Sequence, residues 1–263
     1  MPAVATDGAL LLTEGLGKRF GGVPALAGVR IAVRAGEVTA LIGPNGAGKT
    51  TFINCLTGLL RPDAGSIRFA GQELAGLPAH RIARLGIART FQNLRLFPRL
   101  TVLENVLCGL SGSAGDSFLE AFLRTPAIRH RERRLRLTAL EALDSVGLAP
   151  MAGWPAGALA YGDRKRLELA RAFVSRPALV LLDEPVAGLN ADETEQVGAL
   201  IRRYCRAGAT LVLVEHDMDL VMSVSDRVAV LDGGRLIAEG SPAEVQRNPL
   251  VLEAYLGKVS VTA

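Results

Sequence analysis

Hydrophobic and polar positions near the start of the chain follow the short spacing of β-strands. Residues 10–15 read LLLTEG, and Val29, Ile31 and Val33 alternate with other residues in a second run. The run VTALI, residues 38–42, is almost continuously apolar, which is typical of a strand buried on both faces. This pattern predicts an antiparallel sheet that leads into a core strand.

The spacing becomes helical in the middle of the chain. TFINCLTGLL at residues 51–60 predicts a helix, and the short run SIRFAG at residues 66–71 predicts another strand. Thr101 and Glu104 have the spacing of a capping box at the start of a further helix. Residues 77–149 therefore predict helices inserted between strands, with one apolar helix face formed by Leu135, Ala139, Leu140, Leu143 and Val146.

Apolar strands and amphipathic helices alternate again after Ala156. ALVLLDEP and TLVLVEHD have the length and composition of buried strands, and ADETEQVGALIRRYCRAG between them predicts a helix. DGG in the centre of RVAVLDGGRLIAEG predicts a hairpin, and SPAE from Ser241 predicts the start of a helix. The predicted fold class is α/β, a mixed sheet with flanking helices, an antiparallel β-subdomain and an inserted helical subdomain.

Composition narrows the function only slightly. The chain has 263 residues, of which 49% are hydrophobic, so it can bury a large core. Its formal charge of +4 is compatible with an anionic ligand, a membrane surface or nucleic acid. Cys55, Cys108 and Cys205 are scattered and odd in number, which favours buried structural thiols in a reducing compartment over a disulfide framework.

Hydropathy predicts no membrane-spanning segment. No stretch of about 18 uninterrupted apolar residues occurs. The start of the chain lacks the positively charged region and the apolar length of a secretory signal. We therefore expect a chain that is soluble by itself and reaches a membrane through a partner or its own surface.

A phosphate-binding loop is the strongest chemical signal. Residues 43–50 read GPNGAGKT and match the pattern G-x-x-x-x-G-K-[ST] between a predicted strand and a predicted helix. The glycines allow backbone N–H groups to face bound phosphates, and Lys49 can reach the terminal phosphates. The Thr50 hydroxyl is a suitable ligand for Mg²⁺. This loop is common to kinases, GTPases and ATPases.

Two strand ends narrow that choice. Asp183 and Glu184 end one buried strand, so Asp183 can hold Mg²⁺ and Glu184 can polarise a water beside the γ-phosphate. His216 ends the following strand, on the side where ligands collect in open α/β sheets, and could contact the γ-phosphate. A guanine-reading motif of the N-K-x-D type is absent from the sequence. The sequence therefore favours an ATPase.

These motifs, in this order, resemble the ATP-binding subunits of ABC transporters over nearly the whole chain. The resemblance implies that Phe20 of KRFGG stacks on adenine. It also implies that Gln92 of RTFQNL contacts Mg²⁺ and the attacking water. The stretch AGLN is similar to the D-loop of that family, and it places Asn190 where Asp is commoner.

LAYGD resembles the ABC signature sequence, usually LSGGQ, which caps the γ-phosphate of an ATP held by the opposing subunit. Gly162 allows a close backbone approach, and we expect Arg164 or Lys165 to face the anion. Ala160 lacks the serine hydroxyl, and Asp163 replaces glutamine with a negative charge that repels a triphosphate. We therefore expect weaker engagement of the second nucleotide.

Motifs and resemblance together define the predicted site, with ATP and Mg²⁺ as cofactors. The predicted catalytic residues are Glu184, His216, Gln92 and Lys49. The predicted Mg²⁺ ligands are Thr50, Gln92 and Asp183. The predicted nucleotide-binding residues are Phe20, Gly43, Pro44, Asn45, Gly46, Ala47, Gly48, Lys49, Thr50, Thr51, Gln92, Ala160, Gly162 and Asp183.

Three longer stretches look like one of the two ATPases of branched-chain amino-acid importers of the Liv type. They are ARTFQNLRLFPRLTVLENV, LAYGDRKRLELARA and NPLVLEAYLG. This resemblance implies an ATPase that energises the import of branched-chain or other hydrophobic amino acids. It implies a second ABC ATPase subunit, identical or related, two transmembrane permease subunits and indirectly a solute-binding protein, without nucleic acid. The expected location is peripheral, at the cytoplasmic face of the inner membrane.

The resemblance also implies one ABC nucleotide-binding domain over residues 1–263. Residues 10–76 and 172–240 would form a RecA-like P-loop NTPase core with its β-subdomain. Residues from about 93 to 171 would form the helical subdomain with the signature, and residues 241–263 a C-terminal helix and tail.

Other functions stay open from the sequence. One is an ABC ATPase for another solute, of the urea, amide or lipopolysaccharide type, and another is a non-transport ABC ATPase. In an ordinary P-loop phosphotransferase, LAYGD would be inert. The basic stretch from Arg124 to Arg136 fits a solvated helix face, or a contact with anionic headgroups or acidic permease loops.

Overall fold

A sheet of four strands confirms the predicted antiparallel sheet. The structure is a computed structural model that describes residues 8–91, 94–110 and 126–256. The strands of this sheet are β1 (Ala9–Phe20), β2 (Val23–Arg34), β4 (Ala64–Phe69) and β5 (Gln72–Glu73). Their order across the sheet is β2-β1-β4-β5, and each neighbouring pair is antiparallel.

The central sheet has six strands within the described ranges. They are β3 (Val38–Ile42), β6 (Ile87–Arg89), β7 (Leu179–Asp183), β8 (Thr210–Val214), β9 (Arg227–Asp232) and β10 (Arg235–Gly240). Their order is β10-β9-β3-β8-β7-β6, and all neighbouring pairs are parallel except the predicted hairpin of β9 and β10. Every residue of β3, β7 and β8 is buried, as their continuous apolar runs predict. The carboxyl ends of β3, β6, β7 and β8 therefore meet at one edge of the sheet.

The assignment of residues 77–149 to helices alone was wrong. The three-residue strand β6 lies within this range and pairs in parallel with β7, from Ile87 opposite Leu179 to Arg89 opposite Leu181. Sheet pairing at the edge of the core determines its conformation, and three residues are too few to establish a hydrophobic period.

Nine α-helices surround these sheets in the described part of the chain. They are α1 (Lys49–Leu56), α2 (Ala79–Arg84), α3 (Val102–Cys108), α4 (Pro126–Ser145), α5 (Tyr161–Phe173), α6 (Ala191–Arg206), α7 (Met218–Val224), α8 (Pro242–Gln246) and α9 (Pro249–Leu256). The predicted capping boxes at Thr101 and Ser241 are present. Helix α5 begins at Tyr161, with Ala160 as its N-cap residue. Among the helices described, none has the length and apolarity that crossing a bilayer requires.

Helix α5 packs against two different hydrophobic clusters. Leu167 and Ala170 join a cluster with residues of α3 and α4, including the predicted apolar face of α4. Leu169 and Phe173 instead pack with residues of β7, β8 and α6. This helix therefore connects the group of helices to the central sheet.

The cysteines agree only in part with the expectation of buried thiols. All three are free, but Cys55 is buried, Cys205 is half-buried and Cys108 is exposed. Burial raises the pKa of Cys55 to about 11. The Cys55 thiol, on the helix that follows the phosphate loop, is therefore protonated at neutral pH.

Asn105 fixes the turn that precedes α3, and this contact yields a stability prediction. Its fully buried amide donates to the carbonyl oxygens of Phe97 and Thr101, both at 3.0 Å, and accepts from the Phe97 N–H at 2.8 Å. Asn105→Leu leaves these groups unpaired, so we expect the free energy of unfolding to fall by about 3 kcal/mol in urea titrations. Cys108→Ala, at an exposed position of the same helix, should change it by less than about 0.5 kcal/mol. Equal effects would contradict a structural role for the Asn105 amide.

Candidate nucleotide-binding site

The loop that follows β3 is shaped by close backbone contacts at two glycines. A Cβ atom at Gly43 (φ +148°) would overlap the carbonyl oxygen of Leu231, and one at Gly48 (φ +104°) would lie 2.5 Å from that of Ala25. Both positions therefore require glycine. Gly46 (φ +81°) has no atom within 4 Å of its Cβ position. The loop is packed against β2 and β9 on one side and borders open space at Gly46.

The amino terminus of α1 has no side-chain cap. Its N-cap residue is Gly48, whereas side chains cap α3, α6, α7 and α8. Uncapped N–H groups and the helix dipole attract anions, so the start of α1 can receive phosphate oxygens. In its first turn Thr50 is exposed and Thr51 is half-buried. The predicted loop residues Pro44, Asn45 and Ala47 are half-buried, exposed and buried respectively.

The side chain of Lys49 folds back over the loop. Its Nζ donates to the carbonyl oxygens of Gly43 (2.6 Å) and Pro44 (3.1 Å). Burial lowers the pKa of Lys49, while the charges of Glu184 and Asp183 oppose this shift. The ammonium group therefore lies within the loop and interacts electrostatically with Asp183 at the end of β7 and with Glu184 next to it.

Asp183 is buried at the end of β7 and forms an ion pair. Arg89 of β6 donates from Nη2 to Oδ2 of Asp183 at 2.8 Å, and from Nη1 to Oδ1 of Asn54 in α1 at 2.7 Å. The side chains of Arg89 and Asp183 are only 9% and 6% exposed. Sequence reasoning missed Arg89 because it treated this region as helical. The available signal was an arginine in an apolar run three residues before the predicted Gln92.

The residues that end β7 and begin α1 fit a magnesium ion. Mg²⁺ prefers hard oxygen ligands, is bound by one or two carboxylates with substrate phosphates, and keeps several waters. Asp183 supplies a carboxylate and Thr50 a hydroxyl. Among the described residues, no group of three His, Cys, Asp or Glu side chains could hold a metal by itself. Asp183 and Thr50 would therefore supply part of the Mg²⁺ coordination, and the phosphate oxygens of a bound nucleotide would complete it.

Glu184 has an uncommon backbone conformation for a residue with a side chain. Its φ is +49°, in the left-handed region, which costs roughly 1–2 kcal/mol for an L-amino acid. The Glu184 N–H donates to the carbonyl oxygen of Val214 at 2.9 Å, and the Glu184 carbonyl oxygen accepts from Lys165 Nζ at 3.1 Å. Contacts with β8 and α5 therefore hold this peptide in place.

His216 lies two residues beyond the end of β8, and its side chain is 67% exposed. The preceding residue, Glu215, is buried and accepts hydrogen bonds from the backbone N–H groups of Val186 and His216, both at 3.0 Å. Burial raises the pKa of Glu215, and these bonds oppose the shift. Glu215 thus fixes the backbone in two places: at Val186, after the end of β7, and at His216, after the end of β8. The sequence analysis missed it because a carboxylate in VEHD does not by itself reveal that it is buried.

Phe20 ends β1 with its ring 48% exposed. The Lys18 ammonium lies 5.7 Å from the ring centroid, and Lys18 is itself paired with Asp63 at 2.9 Å. An exposed aromatic face is available for stacking on a planar base, as the resemblance implies.

The LAYGD stretch forms the N-cap and first turn of α5. Ala160 is the exposed N-cap and Gly162 is buried. Asp163 forms an ion pair with Arg166 one turn later. The expected repulsion between Asp163 and a bound triphosphate is therefore offset by a cation within the same helix.

The expectation that Lys165 faces a bound phosphate was wrong, whereas the same expectation for Arg164 stays a prediction. Lys165 is 2% exposed and points inward to the Glu184 carbonyl oxygen. Arg164 donates from Nε to the carbonyl oxygen of Leu159 at 2.8 Å. Both side chains satisfy backbone carbonyl groups of their own chain.

Gln92 lies outside the described residues, but the residues next to it have clear contacts. The Phe91 N–H donates to Oε1 of the buried Glu168 at 3.3 Å, and burial raises the pKa of Glu168. The guanidinium groups of Arg89 and Arg95 lie 4.9 and 4.8 Å from the Phe91 ring centroid. Cation–π attraction and a backbone bond to α5 therefore position Phe91.

Two family models match this chain. Residues 26–187 match the model of the family described as ABC transporter. Residues 235–260 match a second model, described as branched-chain amino acid ATP-binding cassette transporter.

Two curated relatives cover nearly the full length of the chain. The high-affinity branched-chain amino acid transport ATP-binding protein BraF of Pseudomonas aeruginosa is 46% identical over 250 residues, 95% of this chain and 98% of that protein. LivG of Escherichia coli, with the same description, is 44% identical over the same shares of both chains.

Solved structures share the fold. A nucleotide-free ATP-binding cassette from an ABC transporter has a TM-score of 0.82 at 33% identity, covering 95% of this chain and all of that one. Another ATP-binding cassette, a dimer in a post-hydrolysis state bound to ADP and phosphate, has a TM-score of 0.75 at 25% identity. That match covers 88% of this chain and 98% of the other.

The buried ion pair of Arg89 and Asp183 predicts a large effect on stability. Arg89→Met leaves the Asp183 carboxylate buried without its cation, so we expect the free energy of unfolding without nucleotide to fall by about 3 kcal/mol. The matched control Arg227→Met removes a partly exposed pair with Glu239, and should cost less than about 1 kcal/mol. Urea titration of both variants measures this difference. Similar losses in the two variants would contradict the importance of the buried pair.

Proposed function

Because this chain belongs to the ABC transporter family and is therefore an ATPase, we propose that it energises an importer of branched-chain amino acids. The identity to BraF and LivG over almost the full length supports this cargo. The match of residues 235–260 to the branched-chain model supports it independently of the phosphate loop. Nothing in the phosphate-binding chemistry itself selects an amino acid.

The observation that carries the proposed hydrolysis is the meeting of three strand ends at one edge of the sheet. The phosphate loop follows β3, Asp183 ends β7 and Glu184 follows it, and His216 lies two residues beyond β8. Ligands bind at this edge in open α/β sheets. A triphosphate held by the loop would therefore lie beside both carboxylates.

Each side chain then has a specific role. The N–H groups of the loop and α1 bind phosphate oxygens, and Lys49 exchanges its loop carbonyl bonds for the terminal phosphates. Glu184 orients a water molecule for in-line attack and accepts its proton. The exposed His216 contacts the γ-phosphate, and Phe20 stacks on the base. Gln92 contacts the metal and the water, as the family resemblance implies.

We propose that Asp183 and Thr50, together with Gln92, hold Mg²⁺. When bound, Mg²⁺ neutralises charge on the phosphates and on the leaving group. Arg89 keeps Asp183 at the end of β7 by bonding one of its carboxylate oxygens.

The active form is proposed to be a pair of ATPase subunits. One chain carries a single phosphate loop and a single LAYGD stretch, whose Ala160 is exposed. The related cassette solved as a dimer with ADP and phosphate supports this assembly. Ala160 and Gly162 of each subunit would face the nucleotide of the other, and the second subunit is the same chain or a related ATPase.

We propose that a groove of about 820 Å³ receives a permease subunit. It lies between α2, β6 and the end of α3, so it borders both the core and the proposed helical subdomain of residues 93–171. Leu59 and Phe97 line it and are 53% and 51% exposed, so the groove offers apolar side chains that a partner could cover. Phe91, next to Gln92, also lines it. Permease contact would place the chain at the cytoplasmic face of the membrane, with a solute-binding protein as an indirect partner.

The rate of ATP hydrolysis at different protein concentrations tests this proposal. A site shared between two subunits requires association, so we expect a rate that rises faster than linearly with concentration of the purified chain. A linear rate from a lasting monomer would contradict the shared site and favour an ordinary P-loop phosphotransferase.

Removal of the proposed general base gives a second prediction. Glu184→Gln should retain ATP binding, lower kcat by at least about 100-fold, and accumulate as an ATP-bound dimer in size-exclusion chromatography. The control Glu239→Gln, at a surface ion pair, should hydrolyse ATP at the normal rate. Normal turnover in Glu184→Gln would exclude Glu184 as the base.

The missing signature hydroxyl gives a third prediction. If Ala160 limits the contact with the opposing nucleotide, Ala160→Ser should tighten ATP-dependent dimerisation about fivefold, the effect of one hydrogen bond. Analytical ultracentrifugation in the Glu184→Gln background measures the dimer dissociation constant. Unchanged or weaker association would show that position 160 does not limit the contact.

A further inference from the structure

Helix α5 contacts the segment that immediately follows β7. This segment, residues 184–188, begins with Glu184 and leads towards α6. Tyr161 and Lys165 are four residues apart, so they lie on one face of α5. Both side chains donate hydrogen bonds to carbonyl oxygens of the segment.

Lys165 is a buried cation with a backbone acceptor. Only 2% of it is exposed, and its Nζ donates to the carbonyl oxygen of Glu184 at 3.1 Å. The carboxylates of Glu168 and Glu215 are its main electrostatic partners. The mechanism assigns no reacting atom to this ammonium group, so its burial requires another explanation.

Tyr161 occupies a signature position where glycine is usual. Its hydroxyl donates to the carbonyl oxygen of Ala187 at 3.2 Å. Its ring atom Cε1 lies 3.2 Å from the position of a Cβ atom on Gly188, so only glycine accommodates the ring there without a shift. A glycine at position 161 could form neither contact. The Tyr161 side chain of LAYGD thus forms a hydrogen bond with residues 184–188. The glycine at the same position of LSGGQ has no side chain that could form this bond.

Helix α5 can transmit movement from the nucleotide of the opposing subunit to Glu184 of its own chain. Its amino-terminal end presents Ala160 to the nucleotide of the opposing subunit, according to the proposed function. Its first two turns hold residues 184–188, and Glu184 is the proposed base of the chain's own site. A shift of α5 on engaging the opposing nucleotide would therefore carry the Glu184 peptide with it.

We propose that Tyr161 and Lys165 are positioning residues for Glu184. They connect the signature helix to residues 184–188 of the same chain, so that engagement of the nucleotide in the opposing subunit sets the position of Glu184 in this subunit. In a pair of such chains, each bound ATP promotes hydrolysis of the other. This inference rests on the proposed function and adds a connection between its two sites.

Two single substitutions in the full chain test the inference. Tyr161→Phe removes one hydrogen bond and should lower kcat roughly threefold. Lys165→Met removes the bond to the Glu184 peptide and should lower kcat by about tenfold or more, as expected for a displaced catalytic group. Binding of a fluorescent ATP analogue, and ATP-dependent dimerisation in the Glu184→Gln background, should both stay within about twofold of the parent. Lys165→Arg, which retains a cationic donor, should recover part of kcat.

Tyr204→Phe is the matched control. It likewise removes a tyrosine hydroxyl that forms a hydrogen bond, here at 3.0 Å with Ser145 Oγ, away from the contact between α5 and residues 184–188. Its kcat should equal that of the wild-type chain, and melting curves establish that each variant folds. Unchanged kcat in Lys165→Met, or loss of dimerisation in proportion to kcat, would overturn the inference. If the wild-type rate itself were linear in protein concentration, the proposed function would fail, and this inference with it.

Discussion

Compensation of buried negative charge is the constraint on which the site depends. Asp183, Glu184 and Glu215 crowd the ends of β7 and β8, where a polyanion is proposed to bind. Burial of carboxylates is costly unless they are paired or hydrogen-bonded. Arg89 and Lys165 supply the cations, and they come from β6 and α5 respectively. Charge neutralisation therefore fixes which elements must surround the strand ends, and it connects the sheet to the helices that carry the signature.

The same helix serves packing and chemistry. Helix α5 contributes Leu167 to the helical cluster and Leu169 to the cluster beside the sheet, so it is held from both sides. Its polar face binds Phe91 through Glu168 and the Glu184 peptide through Lys165. Phe91 and the Glu184 peptide are therefore positioned by one helix rather than by independent loops. Such an arrangement would suit the proposed site, which is shared between two subunits.

Local sequence patterns predicted the parts of the fold that local physics determines. The long apolar runs of β7 and β8, the glycine-rich loop and the capping box at Thr101 each follow from neighbouring residues. Strand β6 did not, because three residues show no period and its conformation depends on pairing with β7. The Arg89–Asp183 pair joins residues 94 positions apart. Lys165 was expected to face a bound phosphate, and its inward position depends on carboxylates brought together only by the fold. The subdomain boundaries and the roles of the site residues stay predictions.

The left-handed backbone of Glu184 has a consequence for directed evolution of this protein. Glycine and asparagine adopt positive φ more readily than glutamate, so replacing Glu184 by either would relieve backbone strain. Both substitutions would remove the proposed base. A library screened for heat resistance alone would therefore accumulate inactive clones at this codon, because stability and turnover favour different residues there. A screen for a more thermostable form of this ATPase must therefore select for turnover at the same time.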